Sequence, residues 1–180
     1  MNKLLKKSQN IIEVAGAAII SANIYLLYKN IEFFNLACTK ILEFRTSLVN
    51  FDLAFKELQK WYASVEKNDT HHNHYREQLM KKLYQLNEME YKLIALKKEN
   101  HETGKMSIGV GIFSLIASAF TPFAKITQLC MGVVSGLNVC SSYLNFKTAK
   151  DIEKIFENLR HLKSQFENAL NQSQNGLPMF

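Results

Sequence analysis

Residues 106–146 read MSIGVGIFSLIASAFTPFAKITQLCMGVVSGLNVCSSYLNF, and this stretch decides the fold. Its only charged residue is Lys125, and Pro122 lies near its middle. Proline disfavours the helical conformation at the residue before it and often begins a new helix itself. The uncharged runs on either side are each about twenty residues long, which is the length that a helix needs to cross a bilayer. The stretch therefore predicts two apolar helices joined by a tight turn, an apolar helical hairpin.

Small residues recur at four-residue spacing in this hairpin, as in Gly132-x-x-x-Gly136. Such spacing lets helix backbones approach closely, a feature of membrane helix pairs that dense soluble cores also use. The residues predicted to form the membrane hairpin are Gly111, Ile112, Leu115, Ile116, Pro122, Phe123, Gly132, Val133 and Gly136.

Residues 111–123, GIFSLIASAFTPF, resemble the apolar hairpin of the apolipoprotein L family. In that family a similar Gly-Ile-Leu-Ser-Leu-Ile…Ala-Pro-Phe run precedes a second helix rich in small residues. The matching positions are Gly111, Ile112, Ser114, Leu115, Ile116, Ala119, Pro122 and Phe123. Where the family has a glycine-rich turn, this chain has Ala124-Lys125-Ile126-Thr127. The resemblance implies a hairpin between amphipathic helices, with an association with lipid and with membrane permeability.

The composition favours long helices. Hydrophobic residues make up 47% of the 180 residues, whereas glycine and proline number only 7 and 2. Few turn signals and no alternating β-branched runs predict an all-α protein, and the length fits one domain. The net charge of +6 suits anionic partners, either acidic phospholipid or nucleic acid. Cys38, Cys130 and Cys140 have no zinc-type spacing and are interpreted as reduced core thiols, which predicts a reducing compartment for the helical bundle.

Heptads flank the hairpin. Two apolar positions repeat every seven residues from Leu27 to Val65, and similar stripes recur before and after the hairpin. Sustained heptads predict a long antiparallel helical bundle or coiled coil, with the apolar hairpin at one end. Bulky aromatic side chains in the repeat favour three or four helices over two. The predicted seam consists of Phe34, Ile41, Phe44, Leu48, Phe51, Phe55 and Leu58.

The predicted organisation is one helical domain over residues 1–173. Its helices are expected at about 3–66, 74–103, 106–121 and 123–171, with a bend near Gly104 and a flexible tail at 174–180. If the first turn centres near residue 70, residue n of the first helix lies opposite residue 140 − n of the second. On that register, residues 3–17 overhang the hairpin, so the first helix either projects beyond it or bends near Gly16. The apolar run after the basic first residues is interpreted as an uncleaved helix, because Glu13 interrupts it.

The predicted break at residues 67–73 contains His71 and His72, and His74 follows it. Histidine-rich tracts can bind metal, but a solvated polar turn is the favoured interpretation of these three, since no cysteine or second carboxylate completes a ligand set. No phosphate loop, nucleophile–histidine grouping or inward carboxylate pair is present in the sequence. The sequence therefore predicts no enzyme, no cofactor, and no catalytic, cofactor-binding or metal residues.

Two functions remain open. The first is a membrane-associating bundle that inserts the apolar hairpin into lipid, with anionic lipid favoured by charge, and that permeabilises membranes or binds lipid. The second is a soluble coiled-coil interaction module in which the hairpin is buried in a closed core and the heptad faces recruit a partner or form a homo-oligomer. Nucleic acid is not expected, because the aromatic residues lie on the apolar seams. Lysines flank both ends of the apolar segments, so the positive-inside rule gives no orientation.

Overall fold

The chain forms three long α-helices in a computed structural model, which describes residues 2–66 and 68–174 and the side chains of residues 6–66 and 68–173. Helix α1 spans Asn2–Ser64, α2 spans Asp69–Phe120 and α3 spans Lys125–Gln174. No strand occurs in these described ranges. The predicted all-α bundle is therefore confirmed, with the helices packed against one another. The predicted flexible tail lies outside the described residues, except for Gln174 at the end of α3.

The first turn is shorter than predicted and lies earlier. Helix α1 ends at Ser64 and α2 begins at Asp69. Asn68 caps α2, because its Oδ1 accepts a hydrogen bond of 2.8 Å from the backbone N–H of His71. As a result, His71, His72 and His74 lie in the first turns of α2 and not in a loop.

The helices predicted at 74–103 and 106–121 are one helix, because α2 continues unbroken from Asp69 to Phe120. Gly104 is buried, and a Cβ atom added there would lie 3.3 Å from Cζ of Phe146. A single glycine inside a helix costs only about 1 kcal/mol, so its neighbours keep the helix intact. The glycine makes room for an aromatic ring of α3 and does not end a helix.

The chain packs as two compact units, whereas one domain was predicted. The first, here called the hairpin unit, consists of Met1–Cys38 and Lys98–Lys150. The second, here called the amphipathic unit, consists of Thr39–Lys97 and Asp151–Phe180. Each unit takes one segment from each helix.

The amphipathic unit has an apolar core of the kind that heptads predict. The rings of Phe55 and Phe166 lie 4.5 Å apart, and Tyr62 stacks on Tyr75 at 4.2 Å. Lysine–glutamate pairs such as Lys163–Glu90 join α2 to α3. Of the predicted seam residues, Ile41, Phe44, Leu48 and Phe55 are buried, whereas Phe51 and Leu58, and Phe34 in the hairpin unit, are half-buried. The remaining buried apolar residues of this unit include Leu79, Leu86, Leu93, Ile152, Ile155, Leu159 and Leu162.

In the hairpin unit, α1 runs antiparallel to α2 and parallel to α3. Asn23 of α1 bonds Ser114 of α2 and Asn138 of α3, and Asn30 bonds Asn145 one heptad further along. The partner of Asn23 on α2 lies three residues before the position that folding about residue 70 predicts. The difference arises because the first turn is centred before residue 70.

Candidate functional site

The outer surface of the hairpin unit is apolar. Ile116 and Val133 are both 54% exposed, and Phe120 is 85% exposed at the end of α2. A soluble protein usually exposes such residues singly, whereas here they follow one another along all three helices. The exposed large apolar residues of this unit are Ile11, Val14, Ile24, Tyr25, Tyr28, Ile31, Leu36, Met106, Ile112, Phe113, Leu115, Ile116, Phe120, Ile126, Leu129, Val133, Leu137, Tyr143 and Leu144.

The predicted hairpin residues divide between this surface and the interior. Ile112, Leu115, Ile116 and Val133 face outward, and Pro122 is exposed in the turn. Gly111 and Phe123 are buried, whereas Gly132 and Gly136 are half-buried.

Within the described part of this chain, no helix approaches closely at Gly132 or Gly136. A Cβ atom added at either position would meet no atom within 4 Å. The tight contact is at Gly111 instead, where an added Cβ would lie 3.1 Å from Val139 Cγ2 and 3.2 Å from the backbone oxygen of Ser135. Gly111 also belongs to the four-residue spacing, since Ser107 precedes it by four residues.

The interior of the hairpin unit is polar. Nine polar residues of its described part have no exposed surface: Asn100, and the eight that we call the polar seam, Asn23, Asn30, Ser107, Ser114, Ser135, Asn138, Ser142 and Asn145. Its members belong to all three helices. The hairpin unit thus buries amides and hydroxyls beside a few apolar residues, such as Leu26, Phe123 and Met131, and exposes most of its large aliphatic and aromatic side chains.

The asparagines of the polar seam form a chain of hydrogen bonds in which each amide nitrogen donates to the next residue. Nδ2 of Asn145 donates to Oδ1 of Asn30 at 2.9 Å, and Nδ2 of Asn30 donates to Oδ1 of Asn138 at 3.5 Å. Nδ2 of Asn138 donates to Oδ1 of Asn23 at 3.0 Å, and Nδ2 of Asn23 donates to Oγ of Ser114 at 2.7 Å. Since α1 and α3 alternate along this chain, the bonds fix the register of α1 against the hairpin.

The hairpin turn is fastened by a carboxylate of α1. Oε1 of Glu13 accepts a 2.6 Å hydrogen bond from the backbone N–H of Ala124, and Oε2 accepts a 2.7 Å bond from Oγ1 of Thr127. An acidic group at this position favours the start of α3, since free N–H groups give a helix N-terminus partial positive charge. Gly16 permits the approach, because an added Cβ would lie 2.7 Å from Thr127 Cγ2.

The contact at Glu13 corrects the predicted overhang. Residues 3–17 were expected to overhang the hairpin, but α1 already meets the turn at Glu13 and Gly16. Only residues 2–12 therefore extend past the turn. Among these, the side chains of residues 6–11 are all exposed, including Lys6 and Lys7.

Tyrosines and lysines lie close together at the end of the hairpin unit that is opposite the turn. Tyr28 and Tyr143 are 62% and 68% exposed and lie near the Asn30–Asn145 pair. Four lysines follow within about two helical turns, and we call them the lysine collar: Lys29, Lys105, Lys147 and Lys150. Lys29 pairs with Glu32 at 2.7 Å, whereas the other three are exposed.

All three helices are long and apolar enough, by length and composition, to cross a membrane. Only 17%, 22% and 28% of their most apolar windows are buried by the protein itself. The apolar character of these helices is therefore directed mainly outward.

The histidines near the first turn belong to an aromatic cluster. Nδ1 of His72 lies 2.9 Å from the hydroxyl of Tyr62, and the rings of His71 and His74 meet Trp61 edge-on at 5.9 and 5.2 Å. Within the described ranges, no three His, Cys, Asp or Glu side chains are placed to hold a metal ion. All three cysteines are free but exposed, so their interpretation as core thiols is wrong.

Neither the polar seam nor the role of Glu13 was predicted from the sequence. The seam had a signal: Asn23 and Asn30 continue, at seven-residue spacing, the line of the buried Ala37 and Phe44. No signal in the sequence indicated the role of Glu13, apart from its position in an apolar run. Comparison with models of known protein families, with curated proteins and with solved structures finds no match to this chain.

Proposed function

We propose that the protein is a membrane-associating helical bundle whose hairpin unit inserts into lipid. The observation that carries this proposal is the reversed distribution of polarity in that unit. Its exposed surface carries residues such as Ile112, Ile116 and Val133, whereas its interior carries the polar seam. In water, neither half of this arrangement stabilises the fold, since the apolar surface stays hydrated and the buried amides remove little apolar surface from the solvent. In hydrocarbon, both become favourable.

Helices suit this environment because their backbone groups are bonded within each segment. Contact between helices in lipid gains nothing from excluding water, so close packing and interhelical hydrogen bonds must hold them together. The hairpin unit has both, in the tight contact at Gly111 and in the bonds among Asn23, Asn30, Asn138 and Asn145.

The charge distribution favours anionic lipid. Tyrosine side chains such as Tyr28 and Tyr143 suit the boundary between hydrocarbon and headgroups. The lysine collar lies close to them, and each lysine near an anionic surface contributes about 1 kcal/mol of attraction. Membrane permeabilisation or lipid binding, as the resemblance to the apolipoprotein L family implies, is compatible with this proposal.

The second candidate is a soluble module that pairs through its helical faces. It is favoured by exposed apolar residues in the amphipathic unit, such as Leu42, Val49, Tyr84 and Tyr91, which a second copy would cover. A closed core around the hairpin, however, would bury Ile112, Ile116 and Val133, which are about half exposed.

The test is flotation of the full-length protein with vesicles of phosphatidylcholine, alone or mixed with phosphatidylglycerol, followed by alkaline carbonate extraction. We expect the protein to float, to do so more completely with phosphatidylglycerol, and to resist carbonate. A protein that stays at the bottom of the gradient with both kinds of vesicle, or that carbonate releases entirely, would contradict insertion and favour the soluble module.

A further inference from the structure

We infer that all three helices of the hairpin unit cross the whole bilayer, so that the hairpin turn reaches the headgroups of the far leaflet. This inference rests on the proposed insertion and goes beyond it, because a hairpin can also enter one leaflet and stop there. The partner it assigns is the anionic headgroup layer on the side opposite the lysine collar.

The apolar surface has the height of a bilayer. On α3 it begins after Lys125 and ends at Tyr143, and these eighteen residues span about 27 Å. On α1 the distance from Glu13 to Tyr28 is about 23 Å by the same rise per residue. The hydrocarbon core of a bilayer is about 30 Å thick. A unit that entered only one leaflet would leave about half of this surface in water.

The turn is too polar for the middle of a bilayer. It holds the carboxylate of Glu13, the hydroxyl of Thr127 and the ammonium group of Lys125, and Lys125 is exposed. Polar and charged groups inside membranes are costly unless they face the protein interior or water. Glu13 is only half-buried, so its hydrogen bonds to Ala124 and Thr127 leave part of it open to the surroundings. The far headgroup layer supplies the water that these groups need.

The segment of α1 beyond the turn fits the same placement. Lys6 and Lys7 lie six to seven residues before Glu13, about 9–10 Å further along the helix axis. The headgroup region of one leaflet is about 5–8 Å deep. With the turn at the edge of the hydrocarbon, Lys6 and Lys7 therefore lie just beyond that region, in the water layer that faces the lipid phosphates.

The membrane-crossing geometry can be tested by cysteine labelling of the full chain. Cys38, Cys130 and Cys140 are replaced by serine, and a single cysteine is introduced by Ala124→Cys at the turn. Asn10→Cys gives a second position beyond the turn, and Lys147→Cys in the lysine collar is the matched control. All three native residues are exposed. Each variant is added to preformed sealed vesicles of phosphatidylcholine and phosphatidylglycerol, floated, and treated with a membrane-impermeant maleimide.

We expect Lys147→Cys to react from outside, and Ala124→Cys and Asn10→Cys to react more slowly by at least about tenfold, because the bilayer excludes the reagent. A pore-forming agent that admits the reagent to the vesicle lumen should restore their labelling without dissolving the bilayer. Labelling of Ala124→Cys from outside as fast as Lys147→Cys would overturn the crossing. The crossing would also be overturned if Ala124→Cys reacts only after detergent has dissolved the vesicles, because the turn would then lie in the hydrocarbon. Failure to float would instead refute the proposed insertion itself.

Discussion

Two carboxylates placed on the apolar surface distinguish the proposed membrane insertion from the soluble alternative. The double change Ile116→Asp and Val133→Asp puts one charge on α2 and one on α3, both midway along the hairpin helices. Each native side chain is 54% exposed, so a carboxylate at either position can point away from the protein. What surrounds the hairpin unit then decides the cost of the change.

In water the cost is small. Substitutions at exposed positions usually change stability by no more than about 0.5 kcal/mol, and aspartate has nearly the helix propensity of valine. In a bilayer, each aspartate near the centre of a crossing helix costs about 2.5–3.5 kcal/mol. Two of them cost roughly 5–7 kcal/mol, which lowers the partition into lipid by about four to five orders of magnitude.

The assay combines vesicle flotation with circular dichroism of the vesicle-free protein. We expect the double variant to lose flotation and to keep most of its helix signal. The matched control is Tyr84→Asp with Tyr91→Asp, which adds the same charge at two exposed positions of the amphipathic unit and should still float. The reasoning is refuted if the hairpin variant floats as well as the wild type, or if its helix signal collapses in water.

Three further predictions concern contacts of single residues. Gly111→Ala should lower the unfolding free energy of the detergent-solubilised protein by about 1–3 kcal/mol, because the added Cβ crowds Val139 and the backbone of Ser135. The control, Gly132→Ala, should be neutral or stabilising by up to about 1 kcal/mol. Equal effects of the two changes would argue against the contact at Gly111. Asn138→Leu should lower the unfolding free energy by about 1–3 kcal/mol, because Asn23 Oδ1 and Asn30 Nδ2 lose their hydrogen bonds to Asn138. A double-mutant cycle with Asn23→Leu should show a coupling energy of about 0.6–1.7 kcal/mol. Additive effects would mean that the two amides do not pair. Burial, reinforced by the nearby Tyr62, raises the pKa of Tyr75 to about 12 from its ordinary value near 10. Since the folded state holds the proton of the Tyr75 hydroxyl more tightly than the unfolded state, its contribution to stability is complete below pH 10 and is lost as the pH rises from 10 to 12. Tyr75→Phe should therefore flatten the fall in unfolding free energy over that range. An unchanged slope of unfolding free energy against pH would exclude Tyr75 as its source.

The heptads predicted the fold because they report burial directly. Ile41, Leu48 and Phe55 are spaced by seven residues and are all buried, as a helical seam requires. The turn at Pro122 was also predictable, since proline ends one helix and precedes another. The continuity of α2 through Gly104 was not, because a glycine that ends a helix and a glycine that admits an aromatic ring look alike in sequence.

The candidate site was only half predictable. The outward residues Ile116 and Val133 follow from their apolar character alone. The polar seam does not, because the hairpin sequence alone does not show which way its serine and asparagine side chains face. Their meaning depends on a third helix, since Asn138 becomes satisfied only when Asn23 and Asn30 of α1 lie beside it. Contacts more than a hundred residues apart in sequence leave no mark within the hairpin itself.

A single line along α2 joins these observations. Buried residues occur on it every seven positions, first as leucine and then as polar residues: Leu79, Leu86, Leu93, Asn100, Ser107 and Ser114. In water, leucine on such a line drives helices together because burying it removes apolar surface from the solvent. In lipid, leucine would gain nothing, whereas a hydrogen-bonding side chain would lack a partner anywhere except at another helix. A seam that changes from leucine to asparagine and serine is therefore expected where a helix passes from water into lipid. On the outward face of the same helix, the hairpin unit carries apolar residues such as Ile112, Phe113 and Ile116. The inner and outer faces of α2 therefore independently support the proposal that lipid surrounds the hairpin unit.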